Sequence, residues 1–304
     1  MAESWKIIAN PIAGGGRWSI KKALIEAHLR KNELAFSWHF PQGFKEQQRI
    51  IEDLLAAGHR HFIVAGGDGT LHHVVNSFMR QTRVSTQNIF LAVLPLGTGN
   101  DWVKTHKIPR SIRKAVEIIA EGNSKSQDIG LIKFQEGDQL VERFFCNVAG
   151  TGFEAEVVKE SLSLKKGGLK GTFLYLALVL QTLWTYVTLA HSVNDQPAKP
   201  MLLTTIGLCR YNGGGMQLVP DADPFDGKFD FTTIGDLSRG EVIRHLIKLY
   251  NGKIYTHHKV GFERLTELNI DGPTPVPIEA DGEFIGYSPA SFHILPGRVR
   301  FIVP

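Results

Sequence analysis

Cysteine is scarce: the 304 residues hold two, Cys146 and Cys209. That excludes a disulfide scaffold and a cysteine-rich metal module. Both lie in apolar runs, RFFCNVAG and TTIGLCRY, and read as core thiols in a reducing compartment. Charge excess is also small, 34 Lys and Arg against 30 Asp and Glu, for a net charge of +4. Phosphate-backbone binders gather their cations on one face, so no nucleic-acid partner is expected. A mildly basic chain still suits small anionic ligands or an anionic membrane surface. The start, MAESWKIIANPIAGGGR, lacks a basic stretch followed by an apolar one, so no secretory signal is read and a cytoplasmic protein is expected. Long apolar runs are missing too. Segment 171–194 has no Asp, Glu, Lys or Arg, but Gln181, His191 and several Thr interrupt it. A buried or surface-docked helix over 172–190 is expected there rather than a span.

Glycine is what the chain has in excess: 31 residues, about a tenth against a typical ~7%. They cluster in AGGG, AGGDGT, LGTGN, GTGF, KKGGLKG and NGGG. Clustered glycine marks backbone that turns sharply or comes close to something.

Up to about residue 125, strand-like and helix-like patterns alternate. Strands are predicted at 6–9, 34–40, 61–65 and 89–94, and helices at 19–31, 47–57, 71–79 and 112–121. Ser111 is the expected cap of the last helix and Gly122-Asn123 its stop. This rhythm predicts a Rossmann-like α/β domain with a parallel sheet. From Asp128 onward the pattern becomes strands with turn signals, at 128–134, 139–148, 201–209, 229–234, 268–270, 276–280, 291–295 and 299–303. A second helix is expected at 241–250. An antiparallel β-sandwich follows. Domains are therefore expected at 1–127 and 128–295.

Three of the glycine clusters follow a predicted strand and precede a predicted helix. In a parallel sheet the strand ends share one edge, where ligands bind. Asn10 with Gly14 and Gly15, then Gly66-Gly67-Asp68-Gly69-Thr70, then Gly97 to Asp101, should thus meet at one crevice. Bare N–H groups at helix starts favour an anion, above all phosphate. Asp68 among them would repel phosphates unless a divalent cation intervenes, so Mg²⁺ is implied. Thr70 can offer its hydroxyl and cap the next helix. No GxxxxGK[ST] occurs in the cluster, and GxGxxG in the Rossmann sense is absent, so a dehydrogenase loses ground.

GGDGT after an apolar strand, then Leu94-Pro95-Leu96-Gly97-Thr98-Gly99-Asn100-Asp101-Trp102 and Ile108-Pro109, resembles the diacylglycerol kinase catalytic domain family. Asp128-Ile129-Gly130, Asn147 with Gly150, Gly152-Phe153, Gly213-Gly214-Gly215, Pro220 with Asp226-Gly227, and Asp281-Gly282-Glu283 follow in matching order, so the resemblance covers nearly the whole chain. It implies an ATP- and Mg²⁺-dependent kinase of a lipid hydroxyl, peripheral and transient at a membrane surface. The chain's end, 296–304, would return to the first domain, and a homodimer is compatible with the resemblance.

The resemblance also implies roles. Asn10, Gly14, Gly15, His39, Gly66, Gly67, Asp68, Gly69, Thr70, Leu71, His72, Gly97, Thr98, Asn100 and Asp101 fall on nucleotide-contacting positions. Asp68, Asp101 and Asp128 would surround phosphates and metal, while Asp226 would supply a carboxylate to a separate structural Mg²⁺, with backbone oxygens near Asp223 and Lys228. Glu283 matches the general base beside Asp68. On the residues alone, 281–283 reads first as a plain Asp-Gly hairpin turn with a solvated Glu. His72-His73 departs from the Asn-Glu of relatives, and one of the two rings is expected to face the crevice. The alternatives are an NAD-kinase-like enzyme with a soluble acceptor, and a non-catalytic nucleotide- or lipid-binding regulatory module.

Overall fold

The computed structural model describes residues 4–11, 18–166 and 172–304. The chain divides into two compact units, Met1–Ile129 with Pro296–Pro304, and Gly130–Leu295. The first contains β1 (Trp5–Ala9), α1 (Trp18–Lys31), β2 (Phe36–His39), α2 (Phe44–Ala56), β3 (His61–Gly66), α3 (Asp68–Arg80), β4 (Phe90–Pro95), α4 (Asp101–Thr105) and α5 (Ile112–Glu121). Its sheet runs β2-β1-β3-β4, parallel throughout. The last residues of the chain's final strand add beside β4 in the same direction, Arg300 opposite Phe90. β1 is buried along its whole length, as are the last five residues of β3 and β4. Continuous burial is what a parallel sheet covered on both faces requires. Helices supply the cover: α1 packs with α5, and α2 with α3. In α2, Ile51 and Leu55 at i, i+4 face inward. Helix α5 stops at Gly122, whose left-handed φ of 73° suits glycine. Ser111 holds the N-cap position of α5 without a side-chain bond, so the expected cap is corrected.

β5 (Ser124–Glu136) leads into the second unit. There follow β6 (Gln139–Phe145), β7 (Val148–Gly152), α6 (Phe153–Lys166), α7 (Thr172–Thr185), β8 (Leu189–Val193), β9 (Lys199–Gly207), β10 (Phe229–Gly235), α8 (Arg239–Tyr250), β11 (Val260–Leu265), β12 (Glu267–Asp271), β13 (Pro277–Ala280), β14 (Glu283–Tyr287) and β15 (Ala290–Ile302). One antiparallel layer runs β14-β13-β7-β9-β10-β11. The other joins β8, β12 and β15, with β5 and β6. Ile132, Phe134, Phe145 and Phe292 from the second layer meet Ala149, Ile206, Phe231 and Ile278 from the first in one core. The expected sandwich is therefore present.

Some expected elements differ. A single strand over 139–148 breaks at 146–147, because the Asp281 carboxylate takes the N–H groups of Cys146, Asn147 and Val148. Helix α7 ends at Thr185, and Leu189–Val193 pairs with β9 and β12 instead of continuing the helix. The strands expected at 291–295 and 299–303 are one, β15. Among the described residues no helix is long and apolar enough to cross a membrane. Both cysteines are buried thiols outside any disulfide.

Candidate active site

Parallel pairing of β3 with β4 sets Gly66 opposite Pro95, so the loops that follow the two strands leave side by side. The Gly66 carbonyl accepts from both Leu96 and Gly97 N–H, at 2.8 and 3.2 Å. A Cβ on Gly97 would stand 2.5 Å from the Gly67 Cα and 2.8 Å from the Asn100 Oδ1. The loops thus touch backbone to backbone, and glycine is needed because nothing larger fits. Asn10 ends β1 at the same edge, its N–H donating to the Ala65 carbonyl at 3.3 Å. Gly14 and Gly15 lie outside the described residues.

Asp68 opens α3 and reaches across to α4. Its carboxylate accepts from Asp101 N–H at 3.2 Å and Trp102 N–H at 3.3 Å. Asn100, left-handed at φ 52°, holds the turn before α4 by donating from Nδ2 to the Gly97 carbonyl at 2.7 Å. Asp101 is nearly buried, and its Oδ1 accepts from Lys104 Nζ at 2.6 Å. A Cβ on Gly99 would stand 3.1 Å from Asp68 Oδ2 and 3.9 Å from Asp101 Oδ2. Two carboxylates therefore flank one bare glycine. Arg110 donates to the Gly99 and Thr98 carbonyls, which fixes this loop from behind and leaves Thr98 exposed.

One expectation needs correction here, and the other predicted positions are placed by their burial and partners. Thr70 does not cap: α3 starts at Asp68 with Gly67 in the cap position, and the Thr70 side chain lies over Gly66, 2.5 Å from where a Cβ would be. Leu71 and His72 lie on the buried face of α3, 2% and 4% exposed, because helical periodicity turns them inward. The His72 Nε2 stands 3.4 Å from Asn76 Nδ2, while His73 packs against Phe44, so His72 is not the crevice-facing ring. His39 is half-buried beside Ser37, its pKa held below the usual range by burial and then by Lys6. Asp128 is 2% exposed and accepts from Gly297 N–H at 2.7 Å.

In the second unit, Asp281-Gly282 forms the hairpin turn between β13 and β14, both residues at positive φ, and half-buried Glu283 opens β14. Two further carboxyls lie behind the turn. A Cβ on Gly150 would stand 2.7 Å from Glu154 Oε2 and 3.1 Å from Glu279 Oε1. Glu154 accepts from Thr205 Oγ1 at 3.1 Å and from Asn212 Nδ2. Glu279 accepts from Gly282 N–H at 2.7 Å, which ties it to the turn before Glu283. Burial raises the pKa of both, Glu154 to about 7, and the Glu154 charge raises Glu279 further. Glu154 also lines a cavity of about 80 Å³. Its other walls are apolar apart from His245, with Phe153, Val179, Leu203, Ile234, Val242 and Leu249 drawn from α6, α7, β9, β10 and α8.

The first unit's loops and the sandwich each have counterparts in known proteins. Residues 4–132 match the diacylglycerol kinase catalytic domain, and residues 147–303 match the YegS C-terminal NAD kinase beta sandwich-like domain. The diacylglycerol kinase of Staphylococcus carnosus (strain TM300) is 30% identical over 309 residues, covering 100% of this chain and 96% of the relative. This chain belongs to the diacylglycerol kinase family. The diacylglycerol kinase of Staphylococcus aureus (strain bovine RF122 / ET3-1) is 27% identical over 310 residues, covering 100% of this chain and 93% of its own. In fold, the chain resembles a crystal structure of a diacylglycerol kinase from Bacillus anthracis str. Sterne, with a TM-score of 0.73, 19% identity, and 99% and 97% of the two chains covered.

Two cation positions expected of this family member can be tested against its donors. Asp68 and Asp101 fit one: two carboxylates converge beside bare backbone at the loop edge. The other would use the Asp226 carboxylate with backbone oxygens near Asp223 and Lys228, and its one side-chain ligand does not fit. Asp223 Oδ1 accepts from Phe225 N–H at 3.1 Å, and Asp226 Oδ1 accepts from Lys228 N–H at 3.0 Å. Asp226 Oδ2 is taken by the Arg264 guanidinium. A cation placed there would meet a fixed positive charge.

Sequence reasoning missed Glu154, Glu279 and Arg264, and read Asp281 only as part of a turn. Glu154 had one signal, an acid directly after Phe153 at the end of an apolar strand. The others owe their positions to strand register, with Gly150 opposite Glu279 and Asp230 opposite Arg264.

Proposed function

We propose that this protein is an ATP- and Mg²⁺-dependent lipid kinase that passes the γ-phosphoryl group to a hydroxyl on an acyl-chain lipid. The observation that carries the acceptor class is the apolar cavity of the second unit, whose walls suit a hydrocarbon chain and offer a soluble acceptor little to bond. Support for the nucleotide comes from the touching glycine loops at the starts of α3 and α4, where Asn10, Gly66, Gly67, Gly69, Gly97, Thr98 and Asn100 gather at one strand edge beside helix N-termini. Asp68 and Asp101 would hold the Mg²⁺, which neutralises charge on the β- and γ-phosphate oxygens when bound. Lys104 balances Asp101 and keeps it in place. Glu283 would accept the proton of the attacking hydroxyl, with its turn fixed by Asp281 and Glu279.

The test is γ-labelled ATP with Mg²⁺ and a panel of mixed-lipid micelles carrying diacylglycerol, phosphatidylglycerol or a sphingoid base, followed by organic extraction. Label in the organic phase is expected, and the migrating spot identifies the acceptor. Label in a water-soluble product would replace the lipid reading with a soluble acceptor, and ATP binding without transfer would replace it with a regulatory module.

A further inference from the structure

The turn expected to hold a structural metal ion already contains a cation of its own. Antiparallel register sets Arg264 on β11 directly opposite Asp230 on β10. Asp230 is fully buried, and among the described residues neither of its carboxylate oxygens has a hydrogen-bond partner. The nearest positive charge is the Arg264 Nε, in an ion pair at 3.4 Å. The same guanidinium donates from Nη2 to Asp226 Oδ2, so one side chain spans the buried acid and the acid of the turn. An uncompensated buried carboxylate is costly, and a planar guanidinium, charged at every working pH, is well shaped to bridge two. Mg²⁺ needs near-octahedral oxygen ligands and retains waters. Its place at Asp226 Oδ2 is taken by Nη2, and Oδ1 is engaged by Lys228 N–H.

We propose that the Arg264 guanidinium is the permanent cation of the 221–230 segment, standing where a metal ion was expected, so that the second unit keeps its stability without a divalent cation. Any Mg²⁺ requirement of the protein then belongs to phosphoryl transfer alone. The proposal is independent of the acceptor, and its test does not read activity.

The experiment is thermal unfolding of the full chain without nucleotide, in EDTA and across a MgCl₂ titration, for wild type, Arg264→Gln, Asp230→Asn and the double variant. Metal content of the dialysed wild type is measured alongside. Wild type is expected to carry no stoichiometric metal and to hold its Tm within about 1 °C in EDTA and Mg²⁺. Arg264→Gln is expected to lose on the order of 5–10 °C, since it strands a buried acid. Adding Asp230→Asn should restore most of that loss, which a merely structural Arg264 would not allow. If Arg264→Gln fails to fold, the double variant still decides, because its recovery requires the charge pairing. A wild type that loses Tm in EDTA and regains it with Mg²⁺ overturns the proposal, as does retained stoichiometric metal. An Arg264→Gln protein as stable as wild type in EDTA overturns it equally, and so does a double variant no more stable than the single.

Discussion

Two pairs of carboxyls in this molecule converge beside a bare glycine, and their surroundings differ. Asp68 and Asp101 meet beside Gly99, and their donors are the N–H groups of α4 and the Lys104 ammonium. Half-buried Glu154 and buried Glu279 meet beside Gly150, and their donors are neutral: Thr205, Asn212 and the Gly282 N–H. The first pair is equipped to work as charge at the edge of a ligand loop. The second, with no cation bonded to it among the described residues, must keep a proton. The same chemical group, placed the same way by a missing Cβ, is assigned opposite tasks by its environment.

The largest effect that sharpens this contrast is on turnover. Asp68→Asn should lower phosphoryl transfer by on the order of 10²–10³-fold or more, with the circular dichroism of the folded chain unchanged. Glu154→Gln should retain most activity, because an amide replaces a carboxyl that already holds a proton. Labelled-ATP assays of both variants check this. Equal losses would dissolve the distinction between the pairs.

Next is the glycine between the glutamates. A Cβ at position 150 would fall 2.7 Å from Glu154 Oε2, in a buried strand and against a carboxyl held by Thr205 and Asn212. Gly150→Ala should cost about 1–3 kcal/mol by overpacking, read as a lower denaturant midpoint. At Gly99 the nearest contact is 3.1 Å, with half-exposed Asp68, and Gly99→Ala should cost less stability and show chiefly in ATP affinity.

The aspartate pair was legible in the sequence and the glutamate pair was not, for a physical reason. Gly66, Gly67 and Gly97 advertise close backbone approach through residue type alone, and the parallel sheet then places them at one edge. Glu279 reaches Glu154 only because β13 pairs with β7 in one particular register, with Glu279 opposite Gly150. Nothing local to Pro277–Ala280 states that register. Arg264 is hidden in the same way, its meaning set by Asp230 on the neighbouring strand. Both sheet types followed from hydrophobic pattern and glycine placement, but β8, β11 and β14 did not. The break at 146–147 did not, since Asp281 imposes it from 135 positions away in sequence.

pH sharpens the contrast further. The folded state holds a proton on the glutamate pair that the unfolded chain releases near the usual Glu value of 4.5. Stability from this source is therefore full below that value and is lost as pH rises through about 7, where Glu154 ionises in the fold. The slope for one proton is at most about 1.4 kcal/mol per pH unit. Wild-type Tm should fall across this window, and Glu154→Gln should flatten the fall. The charges of Glu154, Asp281 and Glu283 all push the Glu279 pKa upward, in the same direction as its burial. A Tm profile in Glu154→Gln as steep as wild type would remove the shared proton.

The smallest effect tests the counter-charge of the aspartate pair. Lys104 Nζ lies 2.6 Å from Asp101 Oδ1, and its side chain is 29% exposed, so solvent screens the pair from one side. Lys104→Met keeps the stem that covers α4 and removes only the charge. Stability should drop by less than about 1 kcal/mol, and the difference should shrink further as salt is added. The ATP-Mg²⁺ KM should move more than kcat, since Lys104 touches Asp101 and not the reacting atoms. That split separates a residue that positions a ligand-holding carboxylate from one that simply anchors a short helix, where stability would change and neither kinetic constant would. A large loss of stability that persists in high salt would instead place Lys104 in the packing of the first unit, leaving Asp101 held by its backbone alone.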